Sequence, residues 1–351
     1  MNAGKSMGLL GAFITGVGIG NARGEEMNME QTVRTDALEQ QRSLDRLPKM
    51  VDALSLRSLD WGFLLEAEGS ASRIGSVSES DLILATAEFT LDAEVNEWLS
   101  GHLGLLWEEN DTETNNLDEA FFTIGRDLYV QAGRYYLPFG DFSSAFISDP
   151  LTLELAEINQ SAIQIGYGND LFHVCAGLFR GADDSSVETG YAAAGASLGD
   201  GLQVGAYWLS DLLETDGLSA LAGGMNQTED GAGAYANFCW GPATVNAEWV
   251  GALSEYESAF GNFCPMAYNF EASLAVDDRW TVGAKWEGSN DFYTDSAAGS
   301  LSGKFHECGY GTVISCALGE HAAVSTEYLR VEDLDDGEDG HRVTLQFAFE
   351  M

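Results

Sequence analysis

Apolar side chains occupy every second position through most of the chain after Leu59, in runs of about ten residues. In one run Trp280, Val282, Ala284 and Trp286 alternate with smaller or more polar residues. A two-residue period predicts β-strands with one apolar face. Soluble strands usually have about five or six residues, whereas a strand that crosses a bilayer at a tilt needs about 9–11. The pattern therefore favours membrane-spanning strands over a soluble β-sandwich or propeller.

The connections between these runs alternate between short and long. Short turns fall near residues 92–94, 125–127, 168–170, 199–201, 241–242, 277–278 and 319–320. The longer, polar segments are 69–80, 109–116, 138–160, 182–188, 211–230, 253–264, 289–302 and 332–340. Seven turns and eight loops separate sixteen strands. The predicted fold class is an all-β, transmembrane antiparallel barrel of about 16 strands in the outer membrane of a Gram-negative bacterium, with both termini in the periplasm.

The charge of the chain limits its partners. Asp and Glu number 56 against 16 Lys and Arg, which gives a net charge of −40. Such a chain repels nucleic acid, so we exclude a nucleic-acid partner. A hydrophobic content of 45% is too high for a disordered acidic chain. The expected partners are membrane lipids and lipopolysaccharide, a small-molecule solute, and further copies of the chain if it forms a homo-oligomer.

We expect no cofactor, no metal site and no enzymatic activity. The five cysteines show no C-x-x-C spacing, and pairing of Cys308 with Cys316 stays open. Residues 195–199 match the G-x-S-x-G pattern of a nucleophile elbow. That elbow requires a strand-turn-helix context, whereas here another predicted strand follows directly.

Two segments precede the barrel. Residues 1–22 resemble a secretory signal peptide, because Lys5 precedes an apolar stretch and Gly20-Asn21-Ala22 has the small-x-small cleavage pattern. A buried glycine-rich helix or loop is the alternative. Residues 23–57 show a short coiled-coil-like spacing interrupted by Pro48, which indicates a periplasmic helical segment or a linker. The barrel is then expected over residues 58–351.

Polar and charged residues alternate with the apolar face and should point into the lumen. The candidate pore-lining residues are Glu88, His102, Glu248, Glu271, Lys285, Glu327 and Arg342. Ionisable groups at membrane depth are tolerated where they face water, and there they influence which solutes pass. Alternatively, these groups only pair with one another and keep the lumen hydrated.

The third long connection is longer and more apolar than the others. It covers residues 138–160 and carries Asp141, Asp149, Glu154 and Glu157. Long loops without secondary structure are usually functional, and a loop folded into a barrel of this size would narrow its lumen. The four acidic residues are therefore candidate constriction residues, unless the loop is an external lid.

A sequence signature surrounds this loop. It comprises Gly133, Arg134, Tyr136, Pro138, Phe139 and Gly140, followed by Asp149, Pro150, Leu151 and Glu154. This signature resembles that of the LbtU-type siderophore porins, and the resemblance extends over nearly the whole chain. It implies an outer-membrane barrel without a plug domain that takes part in the uptake of iron-siderophore complexes.

The chain departs from this pattern in two respects. It ends on Glu350-Met351, whereas outer-membrane barrels usually end on an aromatic residue. Strand parity also places Arg134 on the lipid side, unless a bulge at Gly133 turns it inward.

The sequence thus predicts a porin for passive or facilitated uptake of a small solute, with a siderophore or ferric siderophore as the leading candidate. A general cation-preferring porin is the first alternative, because an acidic mouth concentrates cations. An adhesion or interaction barrel with acidic surface loops is the second.

Overall fold

The computed structural model describes residues 56–109, 116–181, 187–219, 227–258, 261–290, 305–333 and 339–351. The segments predicted as signal peptide and periplasmic helix lie outside these residues, except for residues 56 and 57. The strands are β1 (Ser58–Ile74), β2 (Val77–Asn96), β3 (Leu99–Trp107), β4 (Leu117–Gly125), β5 (Leu128–Tyr136), β6 (Asn159–Gly168), β7 (Phe172–Phe179), β8 (Thr189–Leu198), β9 (Leu202–Leu209), β10 (Gly231–Trp240), β11 (Ala243–Ala252), β12 (Tyr256–Ser258), β13 (Gly261–Phe263), β14 (Met266–Ala275), β15 (Trp280–Asn290), β16 (His306–Ala317), β17 (Ala322–Asp333) and β18 (Asp339–Glu350).

Sixteen of these strands form one closed antiparallel barrel. Strands β12 and β13 form a separate hairpin, so β11 pairs with β14. The barrel closes between β1 and β18, where Leu64 pairs with Glu350. The first and last strands start and end at the side of the short turns, which is the periplasmic side in outer-membrane barrels. The predicted fold class is confirmed.

The outer face of the barrel is apolar. Exposed side chains such as Ile165, Trp249, Phe270, Ile314 and Leu345 lie on strands all around the barrel. A soluble protein would bury these side chains, whereas a barrel in a bilayer presents them to lipid. The protein is therefore placed in the outer membrane. Among the described residues, no helix has the length and hydrophobicity required to cross a bilayer.

The first hairpin differs from the prediction. Residues 69–80 were expected as a loop and residues 92–94 as a turn, yet β1 continues to Ile74 and β2 runs from Val77 to Asn96. The short turn instead lies between β2 and β3, after Asn96. Serine and glycine interrupt the apolar alternation here, but β1 still pairs along its length with β2 and up to Ile74 with β18. The turn expected near residues 92–94 was wrong, because backbone pairing overrides weak local signals.

The core of the molecule lies inside the barrel. It combines wall residues such as Tyr207 and Leu209 with Phe139, Leu151 and Leu155 from the connection between β5 and β6. This connection contains a short helix, α1 (Leu151–Ala156), whose buried residues include Leu151 and Leu155. The interior of the barrel is thus partly filled by its own loop.

Candidate functional site: a loop fastened across the lumen

The connection between β5 and β6, residues 137–158, lies within the barrel and is called here the internal loop. Its base is closed by a backbone hydrogen bond of 2.9 Å from Leu137 N–H to the Ile158 carbonyl. Phe139 is fully buried and packs edge-on against Tyr207 of β9, with ring centroids 5.0 Å apart. The loop therefore leaves β5 and packs against the interior of more distant strands, rather than covering the mouth as an external lid.

Glu248 of β11 holds the first part of the internal loop. Its Oε1 accepts hydrogen bonds from Asp141 N–H at 2.8 Å and from the Tyr207 hydroxyl at 2.7 Å. Its Oε2 accepts from Phe142 N–H at 3.2 Å and from the Thr152 hydroxyl at 2.9 Å. Phe142 has a left-handed backbone with φ 56°. Such a turn directs successive N–H groups to one side and forms a small anion-binding nest.

Glu271 of β14 holds the middle of the loop. It accepts hydrogen bonds from the Ser144 hydroxyl at 2.8 Å and from Ala145 N–H at 3.0 Å. Asn269, on the same strand, donates a further hydrogen bond of 3.1 Å to Oε1. The neighbouring strand β11 adds Asn246, whose side chain donates to the Ser143 carbonyl at 3.0 Å.

Glu327 of β17 holds the end of this stretch. Its Oε2 accepts from Ile147 N–H at 2.8 Å and from Ser148 N–H at 2.9 Å. Lys285 of β15 also holds Ser148. Its Nζ donates to the Ser148 carbonyl at 3.2 Å and to the Ser148 hydroxyl at 2.9 Å. Lys285 also lies 4.9 Å from the ring centroid of Phe146, a distance suited to a cation-π contact.

A fourth carboxylate completes the set. Glu287 of β15 lies 3.4 Å from Lys285 Nζ and 3.3 Å from His306 Nε2, and it accepts a hydrogen bond of 3.3 Å from Leu151 N–H. We call Glu248, Glu271, Glu287 and Glu327 the latch carboxylates. Their exposed fractions are 9, 1, 1 and 1%, so the loop covers them almost completely.

This geometry corrects the expected role of four candidate pore-lining residues. Glu248, Glu271, Glu327 and Lys285 face the interior, as their parity predicts, but they are buried under the loop instead of lining open water. The physical reason lies in the loop backbone. Its N–H groups have no strand partner inside the barrel, and an unpaired buried N–H costs about 1–3 kcal/mol. The wall carboxylates supply the missing acceptors.

The remaining pore-lining candidates lie on β2, β3 and β18, strands that carry none of the latch carboxylates. His102 of β3 stacks on Phe121 at 5.0 Å and contacts two carboxylates, Asp92 at 2.8 Å and Glu119 at 3.6 Å. Glu88 of β2 is partly exposed and interacts electrostatically with Glu119. Arg342 of β18 is partly exposed and pairs in register with Leu329 and Ser72.

The four candidate constriction residues have different surroundings. Asp141 accepts a hydrogen bond of 2.7 Å from Asn237 of β10, and Asp149 is the exposed member of the four. Asp149 interacts electrostatically with Glu66 and Glu68 of β1, a strand that carries none of the latch carboxylates. Glu154 belongs to α1, and the Glu157 carbonyl accepts from Asp216 N–H at 2.9 Å. Asp149 is thus the member that faces the open side of the lumen.

The signature residues build the entry of the loop. Gly133 has φ 142°, and a Cβ there would lie 2.2 Å from the Ala120 carbonyl oxygen. The pairing of β5 with β4 and β6 shows no register shift at Gly133, so Arg134 keeps the parity of the exposed Val130. Arg134 Nε donates to Asn159 Oδ1 at 3.1 Å.

The other signature residues surround this entry. Tyr136 of β5 donates to Asp118 at 3.2 Å. Pro138 and Gly140 flank the buried Phe139. Pro150 precedes α1, and Leu151 is its first residue.

Sequence reasoning did not single out Tyr207, Thr152 or Asn237. Tyr207 and Thr152 donate to Glu248, and Asn237 donates to Asp141 of the internal loop. Tyr207 shares the inward parity of the lumen candidates, which is the one signal that could have indicated it. Thr152 lies on the loop itself, where strand parity makes no prediction.

Comparisons with known proteins agree with the fold. No family model matches the chain. Relatives by sequence are UPF0422 proteins, one from Coxiella burnetii with 27% identity over 53% of this chain and one from Legionella pneumophila (strain Philadelphia 1) with 23% identity over 58%. The chain matches 46% and 48% of their lengths, about half of each relative.

Similar solved structures are outer-membrane channels. The anion-selective porin of Comamonas acidovorans has a TM-score of 0.63 at 13% identity and covers 84% of this chain and 99% of its own. OmpF of Salmonella typhi in complex with daunomycin has a TM-score of 0.60 at 11% identity, and the match covers 83% of this chain and 97% of OmpF. The channel DcaP of Acinetobacter baumannii has a TM-score of 0.56 at 12% identity, and the match covers 84% of this chain and 98% of DcaP.

Proposed function

We propose that the protein is an outer-membrane diffusion channel whose passage is narrowed by the internal loop. The observation that carries this proposal is the fastening of residues 141–148 to the barrel wall by Glu248, Glu271 and Glu327. A barrel of about sixteen strands encloses an aqueous channel unless something fills it. Here the loop fills the side of the lumen lined by β9 to β17 and leaves the side lined by β1 to β4 partly exposed.

Single-channel recording in a planar bilayer tests this proposal. Conductance grows with the narrowest cross-section, so replacing residues 141–149 by a short Gly-Ser linker should raise it. The unmodified protein should conduct at a lower, steady level. Absence of conductance from a correctly folded barrel would instead support the adhesion or interaction role.

The leading candidate solute is a siderophore or ferric siderophore, on the basis of the signature from Gly133 to Gly140 and from Asp149 to Glu154. Adding a ferric siderophore to one side of the bilayer should produce brief, concentration-dependent blockages of the current. The metal-free siderophore and an unrelated solute of equal size are the controls. A current unaffected by any siderophore would contradict this choice of solute and leave the channel itself intact.

A general cation-preferring channel is the second candidate. It is favoured by the carboxylates on the open side, where Glu66, Glu68, Glu88 and Asp149 are partly or fully exposed. Fixed carboxylates in a narrow lumen attract cations and repel anions. The reversal potential in a salt gradient should indicate cation preference and should shift towards zero in Glu66→Gln/Glu68→Gln. Glu332→Gln, which removes a carboxylate on the outer face of β17, is the control.

A further inference from the structure

Three basic side chains lie next to each other on the outer face of the barrel. Arg330 of β17 pairs in register with His341 of β18, and His341 pairs with Arg73 of β1. All three are exposed. The chain has only 16 Lys and Arg among 351 residues, so this group on adjacent strands stands out in an acidic protein.

The group lies at the extracellular edge of the lipid-facing surface. The next row of lipid-facing residues towards the periplasm contains Tyr328, Val343 and Ala71. Tyr328 is 42% exposed and Val343 is 46% exposed. Tyr310, which pairs with Arg330, is also exposed. Tyrosine is enriched where a membrane protein meets the headgroups. The three basic side chains are therefore level with the headgroups of the outer leaflet.

Neighbouring residues hold these side chains in place. The His341 ring stacks on Tyr328, and Nδ1 lies 2.8 Å from the Tyr328 hydroxyl. Arg330 Nη2 donates to both oxygens of Asp339 at 2.7 and 2.9 Å, and Arg73 Nε donates to the Gly75 carbonyl at 3.2 Å. Asp339 pairs with Glu332, one row closer to the extracellular end of the strands than the basic group. These two acidic residues therefore lie on its aqueous side.

We propose that Arg73, Arg330 and His341 bind the phosphate group of a lipid in the outer leaflet. Side chains at directly paired positions lie about 4.5–5.5 Å apart at Cβ, so two guanidinium groups flank the imidazole and can reach one phosphate. Arginine binds phosphate through paired, charge-assisted hydrogen bonds. The acyl chains of the same lipid then lie along Val343, Leu345 and Phe347 on the outer face of β18. A free phosphate would gain nothing from that apolar column.

The probe is lipid A carrying its phosphates, added to the full-length protein folded in detergent, with binding measured by native mass spectrometry. Arg73→Gln/Arg330→Gln should weaken binding about tenfold or more, because charge-assisted hydrogen bonds to the phosphate are lost. The matched control is Arg57→Gln/Arg126→Gln. These two arginines are exposed to a similar degree, 65% and 57%, but lie at the periplasmic end.

Three outcomes would overturn the proposal. The first is equal binding of lipid A by the double variant and by the control. The second is equal binding of dephosphorylated lipid A by the unmodified protein, a measurement that needs no variant to fold. The third is full competition by inorganic phosphate at the concentration of the lipid, which would indicate a site for a soluble anion. None of these results depends on whether the lumen conducts.

Discussion

The Ser148 hydroxyl donates a hydrogen bond of 2.7 Å to Oε1 of Glu327, a residue 179 positions further along the chain. Lys285 donates to the same hydroxyl and to the carbonyl of the same serine. One serine is thus held between an acidic and a basic side chain of two different strands. Asp149 follows directly and is exposed, so the position of this acidic side chain depends on the latch.

Weakening the latch should make the conductance larger and less steady. In Glu271→Gln/Glu327→Gln, each side chain keeps its shape but loses the charge that strengthens its hydrogen bonds, at a cost of about 1.5–3 kcal/mol per site. We expect longer or more frequent high-conductance intervals in single-channel records. Glu332→Gln is the control, because Glu332 lies on β17 like Glu327 but faces away from the lumen. Identical records for both variants would mean that the loop stays docked without these carboxylates.

Breaking the buried ion pair should destabilise the barrel more than removing it. Among the described residues, Lys285→Met leaves Glu287 with only His306 as a charged contact. Removal of one partner of a buried pair costs about 3–5 kcal/mol. Lys285→Met/Glu287→Gln removes both charges and should recover part of this loss. Urea-dependent unfolding in liposomes measures the free energy of each variant. A double variant less stable than the single one would contradict this assignment.

The lipid-facing register can be tested with two arginines. Ala284 of β15 is exposed and points to lipid, so Ala284→Arg should cost about 2–4 kcal/mol near the middle of the bilayer. Ser70→Arg places the same side chain on the inward face of β1, on the open side, and should fold almost normally. We choose Ser70 over Gly283, because a Cβ at Gly283 would already lie 2.8 Å from Val313 and 3.4 Å from Phe146 of the loop. Equal or inverted effects would show that the register of one strand is wrong.

Gly133→Ala should destabilise the entry of the internal loop. The backbone there has φ 142°, and the added Cβ would lie 2.2 Å from the Ala120 carbonyl oxygen. We expect a loss of about 1–3 kcal/mol in the free energy of unfolding, as for other strained backbone positions. Gly69→Ala is the control, since its Cβ would meet only Leu82 at 3.7 Å. Equal stability of the two variants would contradict the view that the backbone conformation at position 133 requires glycine.

The amino-acid sequence by itself determined the barrel and its two faces. Alternation with a period of two needs no tertiary information, because successive side chains of any strand point to opposite sides. It correctly directed Ala284 and Trp286 outward and Glu271 and Lys285 inward. It was insufficient in the first hairpin, where serine and glycine weaken the alternation and only pairing with β18 and β2 extends β1 to Ile74.

Only the tertiary structure decided which inward side chains meet water. Glu88 and Glu271 both have inward parity in their strands, yet Glu88 is partly exposed and Glu271 is 1% exposed. The difference arises from the path of the internal loop, whose residues Ser144 and Ala145 lie more than a hundred positions from Glu271 in the chain. Strand periodicity is a local property and carries no information about such a contact. The loop docks where its unpaired backbone N–H groups find carboxylate acceptors, and that match exists only after the barrel has closed.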